Sequence, residues 1–275
     1  MIEWAAPARR PLLRQPITMA ALGWLGLVVL GTLLAPILAS GEALMVRTDQ
    51  ALLPPGQSGL LGTDFLGRDV LARLVWGGRW TLQMGAVALL VAIGLGLPVG
   101  LAAGYLGGWT DRLLMRLVDG LLAFPGFLLA MAAVAVLGTG VIPVAIAVGL
   151  AAFPPYARVT RSVAAEVRAQ PYVEAARAIG CNPWRIAIRH VALNTTPSLI
   201  AFAATQLGWV LLNGSALNFL GLGVPPGTPE WGTMLAEGRG FLREAPWASA
   251  FPGLALTLTV LAANLVGDGL QETLA

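Results

Sequence analysis

Apolar runs of about twenty residues recur from one end of this chain to the other, the length a helix needs to cross roughly 30 Å of hydrocarbon. They fall at Ile17 to Leu38, Thr81 to Ala103, Leu117 to Leu137, Val141 to Tyr156, Thr196 to Leu220 and Phe251 to Gly267. A soluble domain with that many buried helices would need far more polar surface than 11% charged residues supply, where ordinary soluble domains carry about 25%. The expectation is an all-α integral membrane protein with six transmembrane helices. The formal charge of +3 is small and spread over loops, which argues against a nucleic-acid partner. One cysteine, Cys181, cannot form an internal disulfide, and with one histidine it cannot complete a zinc site.

The chain divides into a short segment 1–16, a first span and long loop over 17–80, and a five-helix core over 81–273. Arg9, Arg10 and Arg14 precede the first run. A cleaved signal peptide competes there, but the run exceeds a signal core and no small-residue cleavage site follows it, so a retained span is expected. In the long loop, Leu53-Pro54-Pro55-Gly56 reads as irregular. Asp64, Arg68, Asp69 and Arg73, interleaved with Phe65, Leu66, Val70, Leu71 and Leu74, read as a short interfacial helix or as a lead-in to the next span. Gly85, Gly94, Gly96, Pro98 and Gly100 in the second span allow close packing and kinks. The third span contains Pro125, and Pro154-Pro155 should break or kink the inner end of the fourth.

Six spans put both ends on one side, expected to be the cytoplasm because the segments on that side carry the arginine excess. Residues 158–195 then form an inner loop holding six of the seventeen basic side chains. Within it, Tyr172 to Ile179 patterns as a helix rich in alanine. Gly180 suits a left-handed stop, Asn182 a cap and Pro183 the first turn of a second helix running to about Val191. Trp184, Ile188 and Val191 can share one face of it, with Arg185, Arg189 and His190 turned elsewhere. A helix, a turn and a helix joined rigidly to two spans can serve as a mechanical contact for a partner, or simply as a solvent-exposed connection.

Glu174-Ala175-Ala176-Arg177-Ala178-Ile179-Gly180 followed by Ile188-Arg189-His190-Val191 resembles the inner-loop signature of permease subunits of binding-protein-dependent ABC importers. The closer likeness is to the second-type permease of the dipeptide, oligopeptide and nickel branch. It is carried by Leu61-Gly62-Thr63-Asp64, Gly67-Arg68-Asp69, Gly107-Gly108-Trp109, Ala123-Phe124-Pro125, Asn218-Phe219-Leu220-Gly221, Pro229-Glu230-Trp231-Gly232 and Gly267-Asp268-Gly269-Leu270. The family often has Leu-Pro just after the loop's last helix; this chain runs Val191-Ala192-Leu193-Asn194, with no proline until Pro197.

The resemblance implies the type I importer permease fold, and half of a translocation pathway for di- or oligopeptides in the plasma membrane of a bacterium or archaeon. The same machinery could carry nickel or another small solute. An ion-gradient carrier would show a buried acid or an inverted repeat, and neither is found. The implied partners are a second, homologous permease, two ATPase subunits, an extracytoplasmic binding protein and the bilayer. Tyr172, Glu174, Ala175, Ala176, Gly180, Asn182, Pro183, Trp184 and Arg185 would couple to the ATPase. Asp64, Arg68, Asp69, Glu230 and Trp231 would dock the binding protein. Gln206, Asn213, Ser215 and Asn218 either line the pathway or tie helices together. No Gly-rich Lys-Ser/Thr phosphate loop is present, so ATP and magnesium belong to the partner subunits, and this chain is expected to bind no cofactor or metal and to catalyse nothing.

Overall fold

The computed structural model describes residues 15–39, 41 and 45–274, which leaves most of segment 1–16 outside the described residues. Helix α1 (Pro16–Leu33) is followed by a short turn of helix α2 (Ala35–Leu38), and α3 (Val70–Leu106) follows the first long loop. Next come α4 (Gly108–Leu122), α5 (Gly126–Leu137), α6 (Val141–Arg168) and α7 (Pro171–Ala178). The chain ends with α8 (Pro183–Arg185), α9 (Leu193–Phe219), α10 (Trp231–Gly238) and α11 (Trp247–Leu274).

Helices α3 and α6 form the frame. Gly96, Gly100 and Gly104 recur every fourth residue on α3 and lie against Ala157, Thr160 and Ala164 of α6, while Gly149 of α6 lies against Ala88. Small residues at this spacing let two helix backbones approach where lipid gives no hydrophobic drive. A Cβ at Gly100 would stand 2.5 Å from the Ala157 carbonyl oxygen. Gly100→Leu is therefore expected to lower stability by about 3 kcal/mol or more through overpacking, read as a drop in the melting temperature of the purified protein in mild detergent.

These contacts also fix the path of the chain. Residue numbers rise together on α3 and α6 (88 with 149, 96 with 156, 104 with 164), so the two helices run parallel. The chain must recross the bilayer between them, and only α4 and α5 are there to do so. They meet at 90° around Ala123–Pro125. The unbroken third span expected over 117–137 is thus corrected to a bent pair. Pro125 lacks the N–H that would continue the helix and takes an extended conformation at the N-cap of α5. Alone, the 12 residues of α5 reach about 18 Å, too short to cross.

Three further expectations change. Of the two readings of 64–74 the interfacial helix gives way to the lead-in: the first helical residue is Val70, capped by Asp69, and the helix runs straight into the span. Pro154 and Pro155 do not end the fourth span, since α6 continues through them to Arg168; prolines are tolerated where neighbouring helices pack around the freed groups. The second loop helix is not a separate element either. Pro183–Phe219 forms one 37-residue helix, with a π-helical stretch at Ile186–Ala192 where it meets the bundle.

Among the described residues, five helices are long and apolar enough to cross a membrane, and the bent pair, taken as one span, makes a sixth. Both described ends lie together, with Gln15 donating to Glu272 at 2.7 Å. Residues 158–195 share that end; the loops before α3 and around α10 occupy the other.

Candidate coupling elbow and opposite-end cluster

Between α6 and α9 the chain makes a stiff elbow. Pro171 begins α7 and Glu174 sits in its first turn, where a negative side chain suits the helix dipole. The helix ends in a Schellman arrangement: the Gly180 N–H donates to the Arg177 carbonyl and the Cys181 N–H to the Ala176 carbonyl, both at 3.0 Å. Gly180 takes φ +79°, the left-handed conformation its sequence position suggested. The Asn182 side chain accepts the Trp184 N–H at 2.8 Å, and the Tyr105 hydroxyl donates to the Pro183 carbonyl at 2.7 Å. Underneath, Val173 and Ala176 join Ala164, Ile186 and Val191 in a buried cluster flanked by Leu101, Tyr105, Val167 and Cys181.

Most of the expected coupling residues reach the surface: Tyr172, Glu174, Ala175, Gly180, Asn182, Pro183, Trp184 and Arg185 are exposed. Ala176 is not; it is 6% exposed and holds the helix down from beneath. One surface residue escaped the sequence reading. Ile179 is 80% exposed and shares a face with Tyr172 and Ala175. The available signal was a large apolar side chain just before the stop glycine of an otherwise short polar helix. The outcome is an apolar stripe facing water on a helix whose other side is locked.

At the opposite end, the docking residues turn out to be internal. Asp64 Oδ2 accepts from Arg68 Nε at 2.7 Å and from an Arg73 Nη at 2.5 Å. Glu237 Oε2 accepts from Arg68 at 2.9 Å and from Arg73 at 2.8 Å. Asp64 Oδ1 takes the N–H groups of Leu66 and Arg68, and Glu237 Oε1 takes the Gly227 N–H. Two cations and two anions are therefore desolvated together and hydrogen-bonded nearly throughout. Asp64, Arg68 and Arg73 are each under 5% exposed, which removes Asp64 and Arg68 from any docking surface. Asp69 is spent on its own helix, accepting the Ala72 N–H at 2.8 Å.

Glu230 and Trp231 are corrected in the same way. Within the Pro- and Gly-rich stretch 225–247 lies α10, buried against α9 and α11. Glu230 is its N-cap, accepting the Thr233 N–H at 2.9 Å and the hydroxyls of Thr81 at 2.9 Å and Ser215 at 3.2 Å. Trp231 donates its indole N–H to the Leu74 carbonyl and covers Gly77 and Gly78 of α3. Ser215 and Asn218 are buried and hydrogen-bonded within the chain: Ser215 donates to Glu230, and Asn218 Oδ1 accepts the Val224 N–H. Asn213 is half-buried and donates to the Trp209 carbonyl in its own helix. Gln206 is half-buried with its Nε2 unpartnered among the described residues.

Burial raises the Glu230 pKa above the ordinary carboxylate value, while hydrogen bonds from the backbone of Thr233 and Gly232 and from the Thr81 and Ser215 hydroxyls pull it back. An acid whose folded pKa exceeds its unfolded one contributes stability that is full below the unfolded pKa and is lost as pH rises through the folded value. The melting temperature should therefore fall with rising pH across that window. In Glu230→Gln, which stays neutral, the fall should be flattened, as a pH series of melting curves would show.

The family model "Binding-protein-dependent transport system inner membrane component" matches residues 96–275. The glutathione transport system permease protein GsiD of Pectobacterium atrosepticum is 43% identical over 220 residues, spanning 80% of this chain and 73% of that one. The dipeptide transport system permease protein DppC of Alkalihalophilus pseudofirmus is 39% identical over 246 residues, covering 90% and 81%. Among solved structures, an inward-facing MetNI methionine ABC transporter matches with a TM-score of 0.60 at 21% identity, over 74% of this chain and 96% of that one. The fold, the family match and the two relatives agree, and the chain belongs to the inner-membrane permeases of binding-protein-dependent ABC importers.

Proposed function

We propose that this permease forms half of the path by which small peptides, of two or three residues, enter the cell. The relatives named for glutathione and dipeptide transport support that substrate class. In this reading both termini and the elbow lie in the cytoplasm of a bacterium or archaeon, as the arginine excess of those segments favours. A second, homologous permease completes the path. Two ATPase subunits, which hold ATP and magnesium, grip α7, and a binding protein delivers the peptide at the opposite end.

The observation that carries the proposal is the exposed Tyr172–Ala175–Ile179 stripe on a helix fixed from behind. An apolar face in water next to a rigid lever is suited to be held and pushed. Closure of the ATPases on ATP would shift α7, and through the α6 and α9 junctions it would bias the spans between two states. Gln206 and Asn213, half-buried on α9, are the remaining candidates to meet the peptide.

The test is disulfide trapping in a Cys181→Ser background, with cysteine placed at Ala175 of the assembled importer. Crosslinking to an ATPase subunit, together with ATP-dependent uptake of a dipeptide or glutathione in vesicles, supports the reading. A residue-175 thiol labelled only from outside the cell, or uptake that needs no ATP, overturns it.

A further inference from the structure

The passage from α8 into α9 is not a plain helix. Over Ile186–Ala192 the turns are wide, and the Leu193 N–H reaches back five residues to the Ile188 carbonyl instead of four. Turns of this kind are rare, occur mostly singly within α-helices and are frequent at functional sites. Each holds more residues than an α-turn, so its surroundings must keep it in place. Two buried side chains do so here. Ile186 and Val191 are 1% and 0% exposed and join Val173 and Ala176 of α7 in the core of the elbow. In an α-helix, residues five apart stand about 140° apart around the axis. The wide turn brings the pair close to one line, facing one core.

Just beyond, the backbone ladder leans on side chains. A change from five-residue to four-residue pairing leaves a carbonyl over, and a carbonyl left over needs a donor. The Asn194 side-chain amide donates to the His190 carbonyl at 2.6 Å, and the Tyr172 hydroxyl of α7 stands 3.5 Å from the same oxygen. The Thr195 and Thr196 hydroxyls donate to the Ala192 carbonyl at 2.8 and 3.1 Å. Pro197, which has no N–H, cannot serve the carbonyl of Leu193 four residues back. Further along, α9 is keyed into the bundle: Gly208 lies against Asn264 of α11 and Gly214 against Met84 of α3. One end of this long helix is thus fixed to the spans and the other to the elbow, with the weak stretch of backbone between them.

We propose that Ile186–Ala192 is a two-state joint, π-helical in this structure and α-helical in the other state of the transport cycle. The proposal rests on the reading that an ATPase subunit grips α7. A push on α7 displaces Val173 and Ala176, the side chains that keep Ile186 and Val191 on one line. Once released, the segment gives up its extra residue, which amounts to about 100° of turn and about 1.5 Å of advance along the axis. Because α9 is keyed, the displacement emerges on the elbow side. The side chains of Asn194, Thr195 and Thr196 keep the carbonyls paired while the backbone partners change. A hydrogen bond spans either four residues or five, so the joint has two positions and passes between them as a switch.

The test deletes Ala187, a half-buried residue outside the buried pair, in the assembled importer. The segment should then close into an α-helix with both flanks in register. The deletion protein should melt no lower than the parent and keep its ATPases and their hydrolysis, while ATP-driven uptake falls about tenfold or more. Parental uptake overturns the proposal. A second measurement needs no deletion: Ile186→Cys and Val191→Cys, made separately in a Cys181→Ser background, are labelled with a thiol reagent before and after trapping with ATP and vanadate. One of the two thiols should react about tenfold faster in the trapped importer. Equal protection of both in the two conditions overturns the joint, and these thiols decide alone should the deletion protein fail to fold. Failure of the underlying reading looks different: the parental importer itself would then give no crosslink from residue 175 to an ATPase.

Discussion

Replacing Asp64 by alanine will cost this protein about 3–5 kcal/mol, enough to abolish most recovery of folded material from detergent, because it leaves two buried guanidinium charges with only one counter-ion, Glu237, between them. Asp64 Oδ2 accepts from both Arg68 and Arg73, as Glu237 Oε2 does, while Asp64 Oδ1 takes two backbone N–H groups that shape the loop before α3. The alanine variant orphans Arg68 Nε and the two backbone N–H groups, leaves the Arg73 Nη only its bond to Glu237, and leaves a net positive charge among residues that are nearly water-free. Asp64→Asn keeps the backbone acceptor and removes only the charge, so its loss should be smaller. Glu237→Ala should also be milder, since that side chain is 13% exposed and water can reach the arginines from its side. Melting curves and the monodisperse fraction after size exclusion give the order. An Asp64→Ala protein that melts within about 1 kcal/mol of the parent would show that the cluster is hydrated and adds little.

That cluster also marks where the sequence stopped being legible. Span positions could be read because a bilayer forces every backbone group into a helix of a fixed length, so apolar run length carries the answer. The elbow was legible for a different reason: Gly180, Asn182 and Pro183 each act through their own backbone or that of a neighbour one or two residues away, and the structure places each where local chemistry puts it. Asp64, Arg68 and Glu230 were misplaced because an isolated charge in a loop looks solvent-facing. Its burial depends on partners 149 and 169 residues away in sequence, as with Thr81 to Glu230 and Arg68 to Glu237. The break of the third span was half legible. Pro125 was visible, but whether a membrane proline bends a helix or is absorbed depends on what packs around it, as Pro154 and Pro155 show in the opposite sense.

Glu174→Lys and Gly180→Trp should each lower ATP-driven uptake by at least about tenfold, a loss of about 1.4 kcal/mol in coupling, while leaving the permease folded. The helix itself has little to lose at Glu174: a charge reversal in an exposed first turn is worth roughly 0.3–1 kcal/mol. Gly180 has φ +79° and nothing within 4 Å of a built Cβ, so a tryptophan there strains the backbone by about 1–2 kcal/mol and otherwise points into open space. Any larger effect must come from whatever fills that space in the assembled importer. Gly180→Asn separates the two causes, because asparagine tolerates the left-handed conformation with little bulk; it should transport close to the parental rate. Substrate-stimulated ATP hydrolysis by the purified complex then distinguishes the failures. Hydrolysis without uptake means the lever is held but no longer transmits, and loss of the ATPase from the complex means the stripe at Tyr172, Ala175 and Ile179 can no longer be gripped. Parental uptake in both Glu174→Lys and Gly180→Trp would place the mechanical contact elsewhere on the chain.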